Sequence, residues 1–128
     1  MKKKYRVKSD KDYQKVFHQG QSIANRQLVI YQYSKPNQEH FRVGLSVGKK
    51  IGNAVVRNQI KRYLRQAVFE LREVIQPDLD FLLIARKDIV GRPYQEVKSS
   101  VIHVMNLAGI IDRSLLNNQL GGTYDKKQ

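Results

Sequence analysis

The sequence predicts an α+β sandwich, with helices packed on a small mixed sheet in the order α-β-β-α-β-α. Three observations predict it. The segments "RQLVIYQY" and "HFRVGLSV" carry β-branched and aromatic residues in strand-length runs, the second with clean alternation. A later run, "DFLLIAR", is short and almost continuously apolar, as an interior strand is. Between and around these segments, apolar residues recur at helical spacing. A chain of 128 residues fits one domain. We expect it to span residues 1–115, with residues 116–128, polar and glycine-bearing, as a flexible tail.

Each element has a local reason. Ser9 with Asp12 forms a weak capping box, Tyr13, Val16 and Phe17 share one helical face, and Gly20 is a plausible stop. Gln27 to Tyr33 then reads as a strand, with Leu28 and Ile30 on one face and Val29, Tyr31 and Tyr33 on the other. "SKPNQ" is a turn. In the next strand Phe41, Val43, Leu45 and Val47 oppose Arg42, Gly44 and Ser46, which predicts a half-buried strand pairing back on the first. Asn53 caps a helix expected to run to about Val74. "DFLLIAR" joins the sheet through that helical crossover. Pro93 opens the last helix, whose apolar stripe is Val97, Val101, Val104 and Met105.

Charge is the strongest global signal. Lys and Arg total 24 against 11 Asp and Glu, a formal charge of +13, and the isoelectric point is near 10.1. Such an excess points first to nucleic acid and second to an anionic membrane. The chain has no cysteine, so disulfides and thiolate metal sites are excluded and a reducing cytoplasm is compatible. The basic start "MKKKYRVKSD" has no apolar run behind it and is not a secretory signal.

The cations concentrate in "KKIGNAVVRNQIKRYLRQ". On a helical wheel, Val56, Ile60, Tyr63, Leu64, Ala67 and Leu71 gather in one arc. Arg57, Lys61 and Arg65 align at i, i+4 and i+8, with Asn58 and Arg62 in a second row beside them. Together they make a polar face about 140° wide with no carboxylate. A merely solvated face usually alternates Glu and Lys, because such pairs stabilise the helix by ~0.2–0.5 kcal/mol each and like charges cost as much. This face is therefore read as a grip for an anionic partner. Arg forms planar bidentate contacts with phosphate, and Asn58 can both donate and accept. Lys49 and Lys50 add salt-sensitive attraction. Phosphate-loop readings fail on spacing: three residues separate Gly44 from Gly48, and Lys50 stands where a Walker loop needs Ser or Thr. "GKKIG" is one residue too long for the GXXG loop of a KH domain.

"FRVGLSVGKKIGNAVVRNQIKRYLRQ" closely resembles the protein subunit of bacterial ribonuclease P, and Arg57-Asn58-x-x-Lys61-Arg62 resembles that family's arginine-rich signature. "SIANRQLVIY" and "FLLIARK" match in order and spacing. The resemblance covers roughly Tyr5 to Leu107. It implies an αβββαβα two-layer sandwich similar to ribosomal protein S5 domain 2-like folds, with a short extra strand within "SIANR". It also implies a left-handed crossover, where physics alone favours a right-handed one. The implied role is accessory. A catalytic RNA removes the 5′ leader of precursor tRNA in the cytoplasm with Mg2+ or another divalent ion, and the protein alone is inactive, binding no metal tightly. The implied partners are that RNA and precursor tRNA with its leader, with no membrane or protein partner. By the same resemblance Arg57, Asn58, Lys61, Arg62 and Arg65 contact RNA. Lys49, Lys50, Asn53, Asn25, Arg26 and Ser46 fall in matching motifs, and Tyr13, Phe17 and Tyr31 occupy leader-cleft positions. Four positions depart from the family pattern: Tyr13 stands for a usual Phe, Leu28 for an aromatic, Gly48 for Ser and Gln59 for a basic residue.

The residues themselves leave other readings of the cleft positions open. Tyr13 and Phe17 at i, i+4 suit plain core packing, and Tyr31 suits core or site equally. Unpaired bases stack on such rings for ~1–3 kcal/mol each with little sequence preference. His18, His40 and His103 lack partners at i+3 or i+4, and no nucleophile motif is present. Asp10 with Asp12 suits a helix start, and Asp78 with Asp80 flanks a strand start; each pair could bind magnesium loosely, and neither makes a two-metal nuclease site. A non-catalytic or ribosome-associated RNA-binding protein is the main alternative. A DNA-binding helix-turn-helix is disfavoured because no partner helix precedes Val55 within a short turn.

Overall fold

The computed structural model describes residues 3–120, with side chains as far as Asn118. The elements are α1 (Asp10–Gln19), β1 (Gln21–Ala24), β2 (Leu28–Ser34), β3 (Arg42–Ser46), α2 (Ala54–Glu70), β4 (Leu79–Ala85), α3 (Tyr94–Ala108) and α4 (Arg113–Leu120). Short 3-10 turns lie at Lys3–Tyr5, Lys49–Ile51 and Lys87–Ile89. The α+β class and the mixed sheet follow the expectation, including the short strand within "SIANR". The caps hold too: Ser9 Oγ accepts from Asp12 N at 3.1 Å, and Asn53 Oδ1 accepts from Val56 N at 3.0 Å.

Strand order is β1-β2-β4-β3, antiparallel except for the β3–β4 pair. The expected pairing of β3 back on β2 is therefore wrong. β4 lies between them, because its run from Leu79 to Ala85 is buried at every position but Ile84 and only an interior place covers both its faces. α2 ends at Glu70 rather than near Val74. Val74 and Ile75 are buried beyond it, and Ile75 bridges to Ile111, so tertiary pairing takes over from the helix. Residues 116–120, read as tail, belong to α4: Leu115 N donates to Asp112 Oδ1 at 3.1 Å, and Leu116 is fully buried. The rest of that segment lies outside the described residues.

The two sheet faces differ. On one, Leu28, Ile30, Phe81, Leu83 and Val43 meet Leu64, Ala67 and Val68 of α2 and Val97, Val101 and Val104 of α3 in the main core. On the other, strand register arranges side chains in rows: Arg42, Asp80 and Tyr33; then Gly44, Leu82, Tyr31 and Ser22; then Ser46, Ile84, Val29 and Ala24. Helix α1 crosses this second face over the first two rows. Val16 of the helix and Leu82 of the sheet are buried there, apart from the main core. In the third row Ser46, Ile84 and Val29 are half-buried and Ala24 is exposed, so that row is left partly open beside α1, where the expected cleft would have its floor.

Candidate nucleic-acid interface

The cleft wall is aromatic. Phe17 stacks on Tyr31 with ring centroids 4.9 Å apart and planes at 21°, yet Phe17 keeps 43% of its surface exposed. Phe17 is not part of the buried core. Tyr13 packs over Gly44, where an added Cβ would lie 2.9 Å from the tyrosine ring and 2.7 Å from Leu82. Glycine at this position lets α1 approach the sheet closely enough to form the wall.

The basic face lies around the β3 edge from this wall. Ile60, Leu64, Ala67 and Val68 bury the apolar side of α2, which turns the expected cationic rows outward. Asn58 and Arg62 are exposed, while Arg57, Lys61 and Arg65 are half-buried. None of the cations of this face joins the ion pairs seen among the described residues. The face also divides in space. Lys61 and Arg65 line one groove with Tyr13, Gly44 and Leu45, whereas Asn58 and Arg62 line a second depression with Val55 and Gln59. Arg65 borders both.

Several residues expected to contact RNA serve the fold as well. Arg57 Nε donates to Gly52 O at 3.1 Å, and Asn53 is the helix cap. Asn25 is the most committed. Its Oδ1 accepts from Gln27 N and Leu28 N at 3.1 and 2.8 Å, and its Nδ2 donates to the backbone oxygen and hydroxyl of Ser100, each at 3.0 Å. That amide fastens the β1–β2 connection to α3. Arg26 beside it is exposed, as are Lys49 and Lys50, and Ser46 sits in the cleft floor.

A charge network at the N-terminal end of α1 was not foreseen. Arg42 donates to both carboxylate oxygens of fully buried Asp80, from Nε at 3.0 Å and from Nη2 at 2.6 Å. Its Nη1 reaches Asp12 Oδ2 at 3.4 Å, and Lys35 Nζ lies 3.6 Å from Asp12 and 3.7 Å from Asp80. Partial burial pushes the Asp12 carboxyl up, but the Ser9 contact and the charges of Lys35 and Arg42 outweigh that and hold it below the ordinary aspartate value. The hydrogen bonds to Asp80 hold the Arg42 guanidinium above its ordinary value. Asp78 and Asp80 do flank the start of β4, but Asp80 is matched to cations and is not free for magnesium. The available signal was its position in the apolar run "DLDFLLIA", since a charge buried there requires a partner.

Comparison with known proteins shows the family to which this fold belongs. A family model described as Ribonuclease P matches residues 1–109. The chain belongs to the ribonuclease P protein family. It is 54% identical over 112 residues to the ribonuclease P protein component of Enterococcus faecalis, covering 88% of this chain and 95% of that one. Identity to the Listeria monocytogenes component is 49% over 119 residues, covering 93% of this chain and all of that one. Among solved structures, the Staphylococcus aureus RNase P protein superposes with a TM-score of 0.78 at 37% identity, over 84% of this chain and 98% of that one. The Thermotoga maritima RNase P protein gives 0.71 at 25% identity, over 80% and 93%. Membership of the ribonuclease P family makes this chain a protein component of that enzyme and disfavours the ribosome-associated reading. Among the described residues, no helix is long and apolar enough to cross a membrane.

Proposed function

We propose that the chain binds the catalytic RNA of ribonuclease P through α2 and holds the 5′ leader of precursor tRNA in the cleft beside α1, in the cytoplasm. In this reading the RNA performs the cleavage. The observation that carries it is the groove shared by Tyr13 of the aromatic wall with Lys61 and Arg65 of the basic helix. A single strand lying on Phe17 and Tyr31 would continue past the β3 edge onto these cations. Stacking would hold the bases and the cations their phosphates, a combination suited to a strand of variable sequence. Asn58 and Arg62, on the outer side of the helix, are then assigned to the catalytic RNA.

Divalent metal, which this reading requires for cleavage, does not fit the protein's own donors. Asp12 and Asp80 are engaged by Arg42 and Lys35, and the described residues contain no cluster of three His, Cys, Asp or Glu able to hold an ion. Metal is accordingly assigned to the RNA, and no step is routed through the protein.

Reconstitution with a bacterial ribonuclease P RNA tests the proposal. The protein should lower the magnesium needed to cleave precursor tRNA and should show no cleavage alone. Robust metal-dependent cleavage by RNA-free, nuclease-free protein would sink the accessory role. The cleft is tested by Phe17→Ala with Tyr31→Ala, which should weaken holoenzyme binding to precursor tRNA and spare mature tRNA. Equal losses for both RNAs would remove the leader from the cleft.

A further inference from the structure

Helix α1 forms one wall of the cleft, and few of its side chains are buried. It has ten residues, a length that is marginal for an isolated helix, and Val16 is its only fully buried side chain. Beyond the packing of Tyr13, Val16 and Phe17, contacts at its two ends help set its position. At the C-terminal end Gly20 passes against β2, where a Cβ would collide with the carbonyl oxygens of Val16 and Gln32. At the N-terminal end the tie is electrostatic, and Asp12 is the residue that α1 itself contributes to it.

The network is asymmetric in a useful way. Arg42 and Asp80 form a planar two-point contact between adjacent strands, so the guanidinium is fixed before α1 enters the account. Its remaining nitrogen, Nη1, then points to Asp12. Lys35, just after β2, reaches the same two carboxylates from the other side. Two cations face two carboxylates, so the cluster is neutral and can remain partly buried. Asp12 directly precedes Tyr13 in the wall, and Phe17 follows about one turn later. A shift of the helix start therefore moves both rings relative to Tyr31 and the cleft floor.

We propose that Asp12, held by the Arg42–Asp80 fork and by Lys35, is a positioning residue that sets the gap between α1 and the sheet and so holds the aromatic wall in register with the leader. The proposal rests on the leader-cleft reading above. It predicts an effect opposite in sign to simple charge. Removing a carboxylate from a protein that binds a polyanion should strengthen RNA binding in general. Loss of the positioning contact should instead weaken binding of the leader in particular.

The test is Asp12→Asn in the reconstituted holoenzyme, with affinities measured for precursor and mature tRNA. The preference for the leader-bearing RNA should fall by about two- to fivefold, the range carried by an ion pair of this exposure, while the thermal midpoint of the protein barely moves. Asp12→Glu, which keeps the charge, should restore part of the preference. Because the chain has no cysteine, nitroxide labels at Gln14→Cys on α1 and Gln95→Cys on α3 can report the helix position directly. Their distance distribution should broaden in the Asp12→Asn background. The double variant Phe17→Ala with Tyr31→Ala is measured alongside. If it lowers the leader preference while Asp12→Asn changes neither preference nor distance, the positioning role is overturned and the cleft stands. A lost preference with an unchanged distance distribution would also overturn it, since the carboxylate would then act without moving α1. If neither variant alters the preference, the cleft reading fails and this proposal falls with it.

Discussion

Arg42 and Arg62 are the same residue type in opposite circumstances. Arg42 sits under α1 with both carboxylate oxygens of a fully buried aspartate in hand and a second aspartate within reach. Arg62 stands exposed on α2, on a face whose cations join none of the ion pairs seen among the described residues. The first arrangement is closed and neutral, so its free energy belongs to the fold. The second is open and mutually repulsive, an arrangement that the proposed anionic partner would relieve. In a chain with a formal charge of +13, the cations matched within the protein reveal architecture, and the unmatched ones are those the proposed interface uses.

This contrast can be broken at either end. The largest expected effect is on the closed side. Asp80→Asn removes the principal partner of a partly buried guanidinium and should destabilise the protein by about 3–5 kcal/mol, toward the lower end because Asp12 remains nearby. Chemical denaturation measures it, and a loss below about 1 kcal/mol, the range of a surface pair, would show that the network is not structural.

On the open side, Arg62→Ala should weaken RNA binding by about 1–3 kcal/mol while stability stays within about 0.5 kcal/mol. The salt dependence of binding should become shallower by about one phosphate's worth of released counterions. A collapsed thermal midpoint with intact RNA binding would mean that the outward face had been misread. The aromatic pair sharpens the distinction further. Phe17→Ala with Tyr31→Ala should cost about 1–3 kcal/mol per stacked base for leader-bearing RNA and leave the salt slope almost unchanged, since stacking releases no counterions. A slope that shifts as much as for Arg62→Ala would contradict stacking.

The smallest effect concerns a matched carboxylate between α2 and α3. Glu70 accepts a 2.6 Å hydrogen bond from Tyr94, which with Lys98 holds its carboxyl below the ordinary value of 4.5. A lowered folded-state value means that this contribution to stability is complete above the unfolded value and is lost as pH falls through the folded one. Glu70→Gln should therefore flatten the acid limb of stability by less than about 1 kcal/mol, given its exposure to solvent. Thermal midpoints measured from neutral pH to pH 3 would show it, and identical acid limbs would refute it.

Local chemistry determined much of this protein from its sequence alone. Alternation and capping placed α1, β2, β3, the start of α2 and α3, because those signals act within a few residues. The basic face was legible for the same reason: helical periodicity brings Arg57, Lys61 and Arg65 together whatever the rest of the chain does. Only the tertiary structure decided what depends on distant partners. β4 separates β2 from β3 because a strand apolar on both faces must be interior, and no local pattern in β3 records that. The structural part played by Asn25 is invisible until Ser100, far along the chain, is seen to accept its amide protons. Leu116 reads as tail until the core that buries it exists. Asp80 reads as an unpaired strand-start acid until Arg42 and Lys35 converge on it. A charge or an amide is matched in three dimensions, and its partners are chosen by topology rather than by sequence neighbours.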